Sequence, residues 1–297
     1  MTIAIHTDKL TKDYGAGHGI FDLELDVNEG EVFGYLGPNG AGKTTTIKLL
    51  MALSHATSGS ASVFGLDADR DAVAIKKRVG YVPGELPQFG GWRGEEIVAY
   101  VAGLRGDIAD GDVEAIAKRL DLDLGRKYRE YSHGNKQKLA LLVAFAPKPD
   151  LLILDEPTSG LDPLHQQQFY GLVRDAQARG ATIFVSSHVL SEVEHICDRV
   201  GIVREGHLAM VGKLDELAGI RAHRVRFEFA DTPPVERLRN LPGFEDLAVD
   251  GHRASGMFRG SFDELLRALD GSRVVTLESR EPTLEEVFLS YYAGSKE

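Results

Sequence analysis

The sequence predicts an α/β protein with a mostly parallel sheet, an antiparallel sheet at its edge, a helical insert and a second, small α+β domain. Three observations predict it. A strand, a glycine-rich loop and a helix follow one another over residues 31–53. Short apolar runs at 151–154, 182–185 and 200–203 are separated by segments of helical apolar spacing, the alternation that builds a parallel sheet. From about residue 220 the pattern restarts, with residues 224–229 alternating polar and apolar at period two.

Each element follows in turn. Residues 3–8 and 20–27 alternate in character and suit a small antiparallel edge sheet. Residues 31–36 are a buried strand, 45–53 a helix, and Val63-Phe64-Gly65 a short strand. Residues 90–146 form the insert, with helical spacing at 95–104, 113–120 and 135–146; Pro147 and Pro149 end it. Strand 151–154, helix 163–179, strand 182–185, helix 189–197 and strand 200–203 complete the core of a first domain, residues 1–219. The second domain, 220–297, reads strand 224–229, helix 235–240, strands 244–249 and 254–258, helix 262–269 and strand 274–278. That is β-α-β-β-α-β, a ferredoxin-like order. An amphipathic helix at 284–292 follows Pro282.

The loop after the first buried strand carries the chemistry. Gly37-Pro38-Asn39-Gly40-Ala41-Gly42-Lys43-Thr44 has two glycines and then Lys-Thr at the spacing of the nucleotide-binding P-loop. Glycines let the backbone curl so that its N–H groups point at phosphate oxygens, and a helix starting near Gly42 adds its positive end. Lys43 reaches the outer phosphates, Thr44 offers a hydroxyl to Mg²⁺, and Thr45 follows in the first helical turn. A second strand serves the same site. Leu151-Leu152-Ile153-Leu154 ends in Asp155-Glu156. A buried strand that delivers two carboxylates at its C-terminal end is how P-loop proteins hold Mg²⁺; Asp155 is on the metal side, and Glu156 is placed to polarise the attacking water.

Composition limits the alternatives. The chain has 297 residues and is 43% hydrophobic, enough for a core in each of two domains. The apolar run 139–146 meets Pro147 after eight residues, far short of the roughly 18 that span a bilayer. No basic-then-apolar leader opens the chain. A single cysteine, Cys197, excludes an intramolecular disulfide and suits a reducing cytosol. A net charge of −11 argues against nucleic acid as a partner and against direct binding to anionic lipid.

Six further segments, in order, carry a family resemblance. They are Leu10-Thr11-Lys12-Asp13-Tyr14-Gly15, Val79-Gly80-Tyr81-Val82-Pro83, Tyr131-Ser132-His133-Gly134-Asn135-Lys136-Gln137, Ser159-Gly160-Leu161-Asp162-Pro163, Ser186-Ser187-His188 and, more weakly, Glu281-Pro282-Thr283-Leu284-Glu285-Glu286-Val287-Phe288. With the P-loop and Asp155-Glu156 they closely resemble the nucleotide-binding subunit of an ATP-binding cassette (ABC) transporter, of the type that exports drugs, antibiotics or lipids.

The resemblance implies roles. Tyr14 stacks on adenine. Ser132 and Gly134 form a signature loop that closes over the ATP of a second subunit, and Asp162 links the two. His188 is the switch histidine that senses the γ-phosphate and orients the water held by Glu156. Two departures stand out: His133 and Asn135 replace a glycine and a glutamine of the usual Ser-Gly-Gly-Gln. After Pro83, Gly84 stands where the family has a glutamine that meets Mg²⁺, so either Glu85, a candidate metal ligand, or Gln88 substitutes. The loop 84–92, with Phe89 and Trp92, is the expected docking surface for a membrane partner.

The expected function is ATP hydrolysis, with ATP and Mg²⁺ bound in a homodimer or heterodimer of such subunits, driving export through a separate transmembrane permease. The chain is then cytoplasmic and peripheral on the inner face of the membrane. Two alternatives are a non-hydrolysing regulatory cassette and a soluble cassette ATPase outside transport.

Overall fold

Apolar strands bounded by turns organise the first part of the chain. The computed structural model describes residues 2–106, 108–213 and 223–280. In chain order its first elements are β1 (Ile3–Asp13), β2 (Gly19–Asn28), β3 (Val32–Leu36), α1 (Lys43–Leu50), β4 (Ser58–Val63), β5 (Leu66–Asp67), α2 (Ala72–Arg78) and β6 (Val79–Val82). The insert contributes α3 (Gly94–Arg105), α4 (Asp110–Arg119) and α5 (His133–Phe145). There follow β7 (Leu151–Asp155), α6 (Pro163–Ala178), β8 (Thr182–Ser187), α7 (Leu190–Ile196), β9 (Arg199–Arg204) and β10 (His207–Lys213).

Six strands form one sheet in the order β10-β9-β3-β8-β7-β6. β9, β3, β8, β7 and β6 run parallel, and β10 returns antiparallel at one edge. β3 and β7 are buried at every residue, and so is β8, which is why these runs read as continuously apolar. The second sheet, β2-β1-β4-β5, is antiparallel. Ile47 and Leu50 of α1 join Ile5, Leu23 and Val27 of this sheet and Phe33, Tyr35 and Phe184 of the parallel sheet in one core cluster. Each such fully buried side chain contributes about 1.5–3 kcal/mol of transfer free energy. The helix behind the glycine-rich loop is thereby wedged into the core.

Two expectations are corrected. The strand expected at Val63-Phe64-Gly65 is β4 instead, ending at Val63; Phe64 (φ 52°) and Gly65 (φ 74°) turn the chain in the left-handed region. Residues 207–213, not expected as a strand, form β10, which zips onto β9 through the Glu205-Gly206 turn.

Contacts divide the chain into two compact units, Met1–Leu214 and Asp215–Glu297. The second unit contains β11 (His223–Phe229), α8 (Val235–Arg239), β12 (Phe244–Asp250), β13 (Arg253–Phe258), α9 (Phe262–Ala268) and β14 (Val274–Arg280). Its sheet runs β12-β13-β11-β14, every pair antiparallel. Val225, Phe227 and Phe229 alternate inward along β11 and pack with Leu238 of α8, Leu265 of α9 and Phe258 of β13. Residue 219, where the sequence placed its boundary, lies outside the described residues, as do the segment 281–288 and the helix expected at 284–292.

Candidate functional site

The C-terminal ends of β3, β7 and β8 converge, and the glycine-rich loop leaves from the first of them. Gly42 has φ 105°, and a Cβ there would stand 2.6 Å from Ile20 Cγ2, so the turn into α1 requires glycine on both counts. Gly42 caps α1 with no side-chain acceptor, and no acidic residue occupies the first turn. The first-turn N–H groups are therefore left for an anion. The loop is braced from a distant part of the chain: Gly206, at the β9–β10 turn, donates its N–H to Ala41 O at 3.1 Å and accepts from Phe21 N at 2.8 Å. Of the remaining loop residues, Gly37 is buried, Pro38 and Thr45 are half-buried, and Asn39 and Gly40 are exposed.

Lys43 is only 6% exposed. Its Nζ donates to Gly37 O at 2.7 Å and to Pro38 O at 3.2 Å, and lies 3.2 Å from Glu156 Oε1. Thr44 Oγ1 donates to Asp155 Oδ2 at 2.8 Å. Asp155, fully buried at the end of β7, accepts through Oδ1 from Ser186 Oγ of β8 at 2.5 Å. Two hydroxyls from two elements thus hold this carboxylate. Glu156 turns the chain at φ 49°, with its N–H on Ser186 O and Oγ at 3.3 and 3.1 Å. Its second oxygen, Oε2, is 2.8 Å from His188 Nδ1. One carboxylate therefore stands between the loop lysine and the histidine after β8.

Other predicted residues lie around this centre. Tyr14 is exposed, with Lys12 Nζ 5.3 Å from its ring centroid. Its turn leads to Gly19, whose carbonyl would lie 3.1 Å from a Cβ on Gly42, beside the glycine-rich loop. Ser132 caps α5 and accepts from Asn135 N at 3.2 Å. Gly134 and His133 pack on the loop after Glu156: a Cβ on Gly134 would meet Gly160 O at 2.7 Å, and one on Gly160 (φ 73°) would collide with the His133 ring. Asp162 caps α6, accepting from His165 N at 3.0 Å and bonded to His165 Nδ1 at 2.7 Å. Those two bonds, the backbone one first, hold its carboxyl below the usual range.

The loop after β6 approaches Asp155 at Gly84, where a Cβ would stand 2.8 Å from Oδ2. Glu85 and Gln88 are both exposed. Burial, and then the charge of Asp155, push the Tyr81 hydroxyl up to about 12. Phe89 turns inward, edge-on to Tyr128 at 5.4 Å, whereas Trp92 stays 44% exposed against Tyr100. Phe89, Tyr81, Pro83, Leu86 and Leu139 line a mostly apolar pocket of about 100 Å³.

The donors suit Mg²⁺ better than a dedicated all-protein cage. Thr44 and Asp155 present hard oxygens side by side, and among the described residues no three His, Cys, Asp or Glu side chains gather as a metal site. Mg²⁺ takes one or two carboxylates and completes its shell with water and phosphate. The sequence reading gave no role to Ser186, nor to Glu192 of α7; the bonds of Ser186 to Asp155 and Glu156 and of Glu192 to Thr158 cross 30 or more residues, and only the serines before His188 hinted at them.

Phosphate loop, strand-end carboxylates and histidine on one parallel sheet define a P-loop ATPase. Residues 20–159 match the family described as ABC transporter. The bacitracin transport ATP-binding protein of Bacillus licheniformis is 37% identical over 305 residues, 99% of this chain and 99% of that one. The daunorubicin resistance ATP-binding protein of Streptomyces coeruleorubidus is 33% identical, covering 96% and 95%. A solved ATP-binding subunit of an ABC transporter, 29% identical, superposes with a TM-score of 0.67 over 72% of this chain and 91% of that one. The chain belongs to the ABC transporter family and is an ATP-binding, ATP-hydrolysing subunit.

Proposed function

We propose that this subunit powers export of a substrate through a separate membrane permease, with Glu156 as the group that orients and deprotonates the attacking water. The observation that carries this reading is the position of Glu156, with Oε1 3.2 Å from Lys43 Nζ and Oε2 2.8 Å from His188 Nδ1. The glycine-rich loop and the N-terminus of α1 bind the phosphates, and Lys43 carries charge to the outer ones. Tyr14 stacks on the base, a contact worth about 1–3 kcal/mol. Thr44 and Asp155 hold Mg²⁺, which neutralises the charge that develops on the phosphoryl oxygens. Glu85 or Gln88 completes the metal side from the loop after β6. His188 orients Glu156 and meets the γ-phosphate.

Ser132, Gly134 and Asp162 act across a dimer, on the nucleotide of a second subunit, identical or different. The first unit is the catalytic domain and the second an accessory domain, whose strand order supports a ferredoxin-like fold. The names of the relatives, bacitracin transport and daunorubicin resistance, support export as the direction. No helix among the described residues is long and apolar enough to cross a membrane; the transport names of the relatives support a peripheral place on the inner face, docked through the 84–92 loop.

The test is phosphate release from Mg²⁺–ATP by the purified chain, alone and with its permease, together with light scattering. Steady release, abolished in Glu156→Gln with a nucleotide-dependent dimer, is the expected result. Absence of release from the wild type in the presence of permease would overturn the reading in favour of a regulatory cassette.

A further inference from the structure

One carboxylate beside the site is bound in a way that no nucleotide motif explains. Glu192 lies half-buried in the first turn of α7, four residues after His188. Its Oε1 accepts from Thr158 Oγ1 at 2.6 Å, and its Oε2 accepts from Ser187 Oγ at 2.6 Å. Both donors flank site residues. Thr158 is buried two positions after Glu156, in the segment that turns at Glu156 and closes through Ser159 N on Glu156 O at 3.1 Å. Ser187 is buried immediately before His188, and its hydroxyl also accepts from Val189 N at 2.9 Å.

A glutamate in the first turn of a helix often does no more than complement the helix dipole in solvent. Glu192 instead commits each oxygen to a hydroxyl from a different segment. Charge-assisted hydrogen bonds of this length are about twice as strong as neutral ones. Tyr170 of α6 faces the same carboxylate; burial first, and then the charge of Glu192, raise its hydroxyl.

We infer that Glu192 is a positioning residue for ATP hydrolysis, fastening the segment that carries Glu156 to the segment that carries His188. The inference rests on the reading of Glu156 as the catalytic carboxylate. Glu156 and His188 reach the site from two different strands, β7 and β8, on short exits. The strand ends themselves are tied by Glu156 N–H on Ser186 O and Oγ; the Glu192 side chain adds a second bridge farther along both exits, from Thr158 to Ser187, beside the 2.8 Å contact of Glu156 with His188. Loosening that bridge displaces the water-orienting pair, while Lys43 keeps its bonds to Gly37 O and Pro38 O in the phosphate loop. The loss should therefore fall on kcat and not on nucleotide affinity.

The test is Glu192→Gln in the full chain, with kcat, ATP affinity and thermal stability measured together. The amide keeps the size of the side chain but retains only one acceptor for two hydroxyls. The expected result is a fall in kcat of about 10- to 100-fold, with ATP affinity within about twofold of wild type. Thr158→Val, which removes one donor, should give part of that loss and add little to Glu192→Gln. In a His188→Ala background, single-turnover hydrolysis should fall less than about threefold when Glu192→Gln is added. Equal losses with and without His188, unchanged kcat, or a matching loss of affinity would each overturn the inference. The base assignment is read separately: full turnover in Glu156→Gln would sink that assignment whatever Glu192 does.

Discussion

The strand-end half of the site and its signature half are held by different physics. Asp155 and Ser186, on β7 and β8, and Lys43, at the start of α1, sit at or near full burial, and each is tied to a group on another segment. Ser132 and His133 stand exposed at the N-terminal end of α5, fixed by one cap bond and by the fit of His133 against Gly160. The second half carries the departures His133 and Asn135, and the departure beside the first half, Gly84, lies on the exposed loop after β6 rather than among the buried groups. The difference teaches where substitution is tolerated. A buried polar network loses a full desolvation penalty with any partner removed, whereas an exposed turn needs only its backbone path.

The largest effect that would break this contrast is at Glu156. Glu156→Gln should lower kcat by 10²-fold or more, roughly the scale of losing a group used only in the transition state, while ATP still binds. Phosphate release alongside equilibrium nucleotide binding reads it, and a comparable loss of binding would mean that Glu156 has a structural task instead.

Next comes Lys43→Ala, which removes a buried cation from three partners. ATP affinity should fall by at least about tenfold, taking a charge-assisted bond at roughly 1.5–3 kcal/mol. Titration with a fluorescent nucleotide checks this; wild-type affinity would defeat the assignment of residues 37–44 as the phosphate loop.

The signature half gives a smaller and more diagnostic effect. Gly160→Ala puts a methyl group into the His133 ring at a left-handed backbone position, and should cost about 1–3 kcal/mol of stability. Thermal unfolding measures it. Adding His133→Gly should recover the steric part and leave the backbone part. If the second change recovers nothing, the ring and the loop do not meet.

The smallest expected effect sharpens the open metal question. Glu85→Ala should raise the Mg²⁺ midpoint of turnover by less than about threefold, the scale of one weak, exposed charge contact. Gln88→Ala should leave it in place. Matching midpoints for Glu85→Ala and wild type would make this loop a docking element only.

Much of the strand-end half was legible in the sequence, for a physical reason. A strand buried on both faces is a short apolar run, and a carboxylate pair directly after it can only emerge at the strand's end. Asp155-Glu156 closes β7 in this way, and His188 follows the buried run of β8 in the same position. What escaped depends on distant partners. β10 alternates between exposed and half-buried and becomes a strand only because β9 pairs with it. β6 is four residues long, too short to show a period, and takes its place from β7. Phe89 and Trp92 looked equivalent on one loop, yet only Phe89 finds an aromatic neighbour in the insert's buried layer. Glu192 stands five positions after its partner Ser187, but its other partner, Thr158, lies 34 positions away on another turn, out of reach of any local pattern.

The brace beneath the phosphate loop has a consequence for how this chain is born. Ala41 leaves the ribosome early, but the N–H that steadies its carbonyl belongs to Gly206, and both strands flanking β3 are drawn from residues 182–204. At roughly 5–20 residues per second, about 10–30 s of translation separate the loop from its support. The nucleotide pocket cannot mature progressively from the N-terminus. Its brace is complete only once the hairpin of β9 and β10 has been made. The core around β1, β2 and α1 is drawn mostly from residues before 80, but Leu151, Ile153, Phe184 and Val203 complete it only when the later strands arrive.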